Sequence, residues 1–346
     1  MFLNSFSYFR AIAIILIVIT HSYGFFAINT ESFYSKFILN LITGGTSLFV
    51  FISGFLFNHV FYDNFNYFKF ISNKIKNVLL PYILLSSVPI IFYISMGKDT
   101  FGDYYLLDSS NSFFSYIIVY FRYLSTGVVF NAYWYIPFVI VLFFLSPIHH
   151  MFTKAKFQFQ ILIILLMSII SIFIHRPIGN LDIFQSLMYF TPVYFLGITV
   201  SKNKELFYRF LSGKEVYIFT GMVLLSGIQA YTGHVGNYHK SAFDFVGVDI
   251  MYLQKIFMCF FLLIWLRKFE NKDSKLMFLI ANTSFAIYFL HPFILWVISR
   301  TLGAIKLPGG FIGLLLFTFF VITLSILIAL FVKFILKKRS RIVLGY

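Results

Sequence analysis

Cysteine is almost missing from this sequence: Cys259 is the one residue of its kind, and it sits inside an apolar run. That excludes an internal disulfide framework and a thiolate metal cluster. Charge is scarce as well. Only 11% of the 346 residues are Asp, Glu, Lys or Arg, while 60% are hydrophobic. A water-soluble chain of this length needs more polar surface than that. Acids are the scarcer sign, 12 against 27 Lys and Arg. No His-Glu-x-x-His spacing offers a metal site, and no glycine loop followed by Lys-Ser/Thr cradles a phosphate. No internal repeat of fixed period is visible, so an inverted-repeat transporter has no direct support.

What the chain has instead is long apolar runs. They do not alternate, so they read as membrane-spanning helices and not as barrel strands. Ten spans are expected, at about 6–27, 37–60, 78–96, 132–151, 157–175, 184–201, 216–232, 247–267, 276–299 and 312–336. The expected fold is all-α, a polytopic membrane bundle of about ten helices forming one domain over residues 1–346. Segment 113–121 is too short to cross and reads as an interfacial or re-entrant piece. With the N-terminus in the cytoplasm, most of the 27 Lys and Arg fall on the cytoplasmic side. An odd number of spans would destroy that asymmetry, so both termini are expected inside. The net charge of +15 then reflects orientation and anionic lipid, and nucleic acid has no place in the reading. The longest loop, roughly 97–131, is expected outside and carries Asp99, Asp103 and Asp108. The 50 Phe and 23 Tyr read mostly as lipid-facing bulk and interfacial belts.

Two ionisable residues interrupt the first span: Arg10 and His21. Eleven positions of helix amount to about 16 Å of rise and a net rotation of about 20°, so both lie on one face. Charged groups in hydrocarbon are expensive and normally face a bundle interior or a wet cavity. The plain alternative is a snorkelling Arg and a His bonded to a neighbouring helix. An Arg at a cavity mouth suits phosphate, and a desolvated His stays neutral and takes a proton from a hydroxyl.

Other candidates are weaker one by one. Span two opens with the small residues Gly44, Gly45, Ser47, Ser53 and Gly54. They serve either close helix packing or the approach of a ligand to backbone. Lys69, Lys74 and Lys76 precede Pro81-Tyr82, as positive-inside charge or as a second anchor for a polyphosphorylated cofactor. Trp134 and Tyr135 are interfacial anchors or a platform for a sugar ring. Pro292 breaks its helix ladder, which lets His291 meet a freed carbonyl. His59, His149, His150, His175, His234 and His239 fall at span ends or in loops and are assigned no role.

At these residues the sequence resembles the membrane-bound acyltransferase family 3, bacterial O-acyltransferases of cell-surface carbohydrates. The match runs from Arg10 to His21, through SLFVFISGFLF in span two and the basic loop ending at Pro81-Tyr82, to YWYIPF at 133–138 and IYFLHPF at 287–293. It departs from the pattern in that loop, which carries Lys74 and Lys76, with Asn73 and Asn77 where arginine is expected. The resemblance implies transfer of an acyl group, usually acetyl, from cytoplasmic acetyl-CoA to a hydroxyl of a glycan or glycolipid such as O-antigen or capsule. It implies His21 as the catalytic histidine and Arg10, with Lys74 and Lys76, as the cofactor-binding cations, with no metal. Ser53, Gly54, Trp134, Tyr135 and His291 are the expected supporting or substrate-side residues. His21 is then either general base or transient acyl carrier. The expected setting is the bacterial inner membrane. The rival class is a lipid-linked glycan flippase, which needs more charge within its spans than Arg10, Arg122 and Lys255 provide.

Overall fold

The computed structural model describes residues 3–97, 100–107 and 112–346; Asp99 and Asp108 of the long loop lie outside them. In chain order the helices are α1 (Asn4–Ser22), α2 (Phe33–Ile42), α3 (Gly45–Phe61), α4 (Tyr67–Lys74), α5 (Leu80–Met96) and α6 (Phe113–Thr126). Then come α7 (Tyr135–Phe144), α8 (Ser146–Lys154), α9 (Phe157–Ile174), α10 (Ile183–Lys202), α11 (Lys204–Leu211) and α12 (Glu215–Tyr231). The chain ends with α13 (Ile250–Arg267), α14 (Lys275–Asn282), α15 (Ser284–Leu302), α16 (Gly310–Leu336) and α17 (Ser340–Leu344). The described residues form no strand beyond two isolated bridges. The protein is all-α and polytopic.

Nine of the ten expected spans have a counterpart among long apolar stretches of the described residues. Eight described stretches are long and apolar enough to cross a membrane, or nine when α7 and α8, bent by 58° at Leu145, count as one. The remaining expected span is α12, which has only 17 residues. The 14-residue α6 is short, as expected of 113–121, and it buries Ser115, Val119 and Tyr123 while exposing Phe113, Phe114 and Phe121.

The helices divide by what they touch. α9 has only 17% of its apolar window buried, against 72% for α10. In water the bare Leu162, Leu165, Leu166, Ile169 and Ile170 of α9 would be an aggregation hazard. In hydrocarbon they are ordinary. The core is α1, α3, α10, α13 and α15. α3 meets α10 backbone to backbone: a Cβ on Gly54 would lie 2.0 Å from the Tyr194 carbonyl oxygen, and one on Gly197 2.1 Å from that of Phe51. Small residues drive helix association where lipid removes the hydrophobic incentive. Gly54 is therefore a packing residue: of the two expectations, helix packing holds, and its place among the substrate-side residues does not. Phe6 of α1 stacks on Phe55 of α3 with ring centroids 3.7 Å apart.

α1 is held at its start by a distant carboxylate. Glu270 accepts from the Asn4 amide at 2.8 Å and from the Ser5 amide at 3.1 Å. First-turn amides have no partner inside their own helix, and a carboxylate there also meets the positive end of the dipole. The C-terminal Gly345 packs on Asn77 and Phe285, next to the π turn Ile75–Leu79 that joins α4 to α5.

Candidate active site

α2 and α3 are one membrane stretch broken at Thr43-Gly44. Gly44 has φ +87°, and a Cβ on it would lie 2.7 Å from Lys255 Cε. Such a break orphans the last carbonyls of α2. Lys255, 1% exposed, reaches in from α13 and donates to the carbonyl oxygens of Asn40 at 3.1 Å and Leu41 at 3.0 Å. The Thr20 hydroxyl of α1 lies 3.1 Å from the Ile42 carbonyl oxygen. The break thus docks on the last turn of α1, where His21 sits. It also turns the start of α3, Gly45 and Thr46, toward the same space.

Three cavities meet at His21. The first, about 190 Å³, follows α1 from Arg10 to His21 and α3 from Thr46 to Phe61. Its walls are largely apolar, and Arg10 and Lys74 are its charged residues. They are close enough to repel each other, and among the described residues neither has a carboxylate within 4.0 Å. Arg10 Nη2 donates to the Ser284 hydroxyl at 2.9 Å. The Lys74 ammonium lies over the rings of Phe143, Phe70 and Phe61, at 4.5, 5.1 and 5.8 Å. Ring faces hold the cation in place without neutralising it, so the chamber presents two unneutralised cations, a chemistry that suits an anion.

The second cavity, about 270 Å³, is polar. Thr20, Tyr23, Asn131, Asn180, Asn237 and His239 line it around Arg176. The third, about 510 Å³, is aromatic, with Tyr93, Phe101, Phe130 and Trp296. His21 and Trp134 line all three, and among the described residues no Asp or Glu lines any of them. Trp134 is set by the turn before α7. Tyr133 donates to the Phe289 carbonyl at 2.7 Å and Tyr288 donates to the Ala132 carbonyl, so two phenols pin this turn to α15.

The imidazole of His291 lies beside His21, ring centroids 5.5 Å apart. Its Nδ1 donates to the Ile287 carbonyl at 2.9 Å. That fixes the tautomer, leaving Nε2 as an acceptor with no protein partner among the described residues. The neighbour of His21 is thus a neutral acceptor and not a carboxylate.

Of the residues singled out from sequence, Arg10, His21, Ser53, Lys74, Trp134 and Tyr135 share the first cavity. His291 is buried behind His21 and lines none of the three. Lys76 is exposed and outside the lining, so of the expected trio Arg10, Lys74 and Lys76 the structure brings together the first two. Ser284, Thr46, Asn131 and Arg176 were missed. Ser284, Thr46 and Asn131 carry no charge to draw attention. Arg176 reads from sequence as an ordinary loop cation, yet it is 4% exposed. Burial draws its guanidinium down to about 10, against the opposing pull of Tyr189 and Asp249, so it stays cationic at neutral pH.

A helical membrane bundle that sets a histidine between a cation-bearing chamber and a polar pocket has the form of a membrane-embedded transferase. Residues 3–332 match the family model of the acyltransferase domain of family 3, and the chain belongs to that acyltransferase family. Comparison with curated proteins and with solved structures gives no match.

Proposed function

We propose that this acyltransferase moves an acyl group, acetyl by preference, from cytoplasmic acyl-CoA to a hydroxyl of a cell-surface or lipid-linked glycan, across a bacterial inner membrane. In this reading the Arg10 end faces the cytoplasm, as the excess of basic residues on that side supports. Arg10 and Lys74 hold the cofactor's phosphates. The chamber volume of about 190 Å³ is below the range of about 300–1,000 Å³ usual for a whole ligand. It suits the thioester-bearing arm, with the nucleotide left at the mouth.

The observation that carries the proposal is that His21 lines the chamber and both cavities beyond it. Thioester and hydroxyl can meet at one imidazole, so no covalent relay is needed. His21 takes the acceptor proton as its oxygen attacks the thioester carbonyl. The C–S bond breaks and the thiolate recovers that proton, which leaves an ester and free CoA. First-turn amides of a helix have no partner within it, and Gly45 and Thr46 at the α3 start line the second cavity, so this reading assigns the oxyanion to their amides. The His291 ring, 5.5 Å from that of His21 between centroids, packs beside it and limits how it can turn.

Membranes containing the protein, given labelled acetyl-CoA, test this directly. Label is expected in surface glycan with the wild type and not with His21→Ala at equal protein level. Equal labelling by the two would overturn the proposal. Mass spectrometry of the glycan names the group transferred.

A further inference from the structure

The second cavity holds a cation that the transfer chemistry does not use. Arg176 sits in the link between α9 and α10 and is 4% exposed. Its guanidinium lies over the rings of Trp134 at 4.9 Å and Phe190 at 5.5 Å. Its Nε donates to Asn180 Oδ1 at 3.1 Å. Among the described residues no other nitrogen of this guanidinium has a protein acceptor, and no carboxylate lies within 4.0 Å. The nearby acid, Asp249, already accepts from the Tyr189 hydroxyl at 2.9 Å and the Tyr252 amide at 2.8 Å.

The backbone that carries it is also fixed. The Arg176 amide donates to the Tyr238 carbonyl at 3.1 Å, and the Lys240 amide to the Arg176 carbonyl at 3.0 Å. These bonds lock the 175–182 link to the 232–249 loop. Gln185 Nε2 ties the same links together by donating to the Lys240 carbonyl at 3.0 Å. A guanidinium carries five donors in a rigid fork. Burying one without an acid is costly unless something answers its donors. Beside a few apolar residues such as Leu39 and Val235, the lining offers neutral hydrogen-bonding groups, as sugar hydroxyls require: Asn131, Asn180, Asn237, Thr20 and His239.

We propose that Arg176 receives an anionic oxygen group, a carboxylate or a phosphate, on the acceptor glycan, and thereby presents the neighbouring hydroxyl to His21. The acceptor is then an acidic saccharide: a uronate-type sugar or a phosphorylated one. This rests on the reading of the second cavity as the acceptor's side of His21. Arg176 is a positioning and specificity residue and takes no part in moving the proton. Trp134 couples the two roles, because its ring carries Arg176 and also borders the chamber of Arg10.

The test uses the full chain in detergent, titrated calorimetrically with methyl glucuronide, methyl glucoside and inorganic phosphate. The glucuronide, or phosphate if the acceptor is phosphorylated, is expected to bind the wild type roughly tenfold to a hundredfold more tightly than the glucoside. Arg176→Gln is expected to abolish that preference while CoA binding stays within twofold. Arg176→Lys, which keeps the charge but loses the fork, is expected to retain part of it. Phosphate also fits the Arg10 chamber, so only affinity that depends on Arg176 counts. Equal binding of glucuronide and glucoside with no such phosphate component overturns the proposal. So does a preference that survives Arg176→Gln. The wild-type comparison needs no variant to fold. Loss of labelled-acetyl transfer in His21→Ala is read separately, so the acyltransferase reading and the acidic-acceptor reading can fail independently.

Discussion

Lys74 and Lys255 are two lysines sunk in the same membrane bundle, and their surroundings differ in one respect. Lys255 spends its donors on the orphaned carbonyls of α2, at 3.1 and 3.0 Å. Lys74 has only ring faces around it, the nearest at 4.5 Å, and opens on a chamber shared with Arg10. A buried cation whose donors are answered by protein is holding structure. One whose donors face a cavity is open to a ligand, and Lys74 is of that kind. Sequence alone does not separate the two, because both are single lysines in apolar stretches. The geometry of their acceptors does.

This contrast can be broken by experiment, beginning with the residue at the far end of the Lys74 chamber. His21→Ala is expected to cut acyl transfer by about 10²–10⁴-fold, the usual worth of a positioned general base, with thermal stability little changed. Lys255→Met is expected to cost about 2–4 kcal/mol of stability, since two carbonyls lose their donor. A large fall in melting temperature in detergent, with an unaltered KM for acyl-CoA in the fraction that folds, would confirm it. Gly54→Ala should cost about 1–3 kcal/mol by forcing α3 from α10, read in the same melting assay. Lys74→Met should do the converse of Lys255→Met: melting temperature nearly constant, KM for acyl-CoA raised roughly tenfold. A Lys74→Met protein that melts early while keeping its KM would erase the distinction. The smallest effect is expected for Lys76→Gln, less than about twofold in KM, since an exposed cation is screened by solvent.

Much of the bundle was legible in the sequence because lipid imposes a simple rule: backbone polar groups must be satisfied within the segment, so long apolar runs become helices. The face shared by Arg10 and His21 followed from helical periodicity alone. What could not be read was anything that depends on two distant segments. α12, with 17 residues, is the shortest of the expected spans, at the lower limit of what crosses a bilayer. The bend at Leu145 left α7 and α8 as two short helices. For Gly54 both helix packing and a ligand contact stay open in the sequence, because the Tyr194 backbone against it comes from residues far along the chain. Lys76 looked equivalent to Lys74, yet the π turn beginning at Ile75 sends it to the surface. Arg176 shows the same difficulty in reverse. Its burial is made by the 232–249 loop and by Trp134, so a residue that reads as loop charge lies in the interior.

The most direct test of the central claim is a structure of the protein with CoA bound. It should show the cofactor's phosphates at Arg10 and Lys74 and its thiol beside His21, with the Arg176 pocket left to the acceptor. Phosphates seated at Arg176, or a thiol that stops short of His21, would contradict the meeting of donor and acceptor at that imidazole.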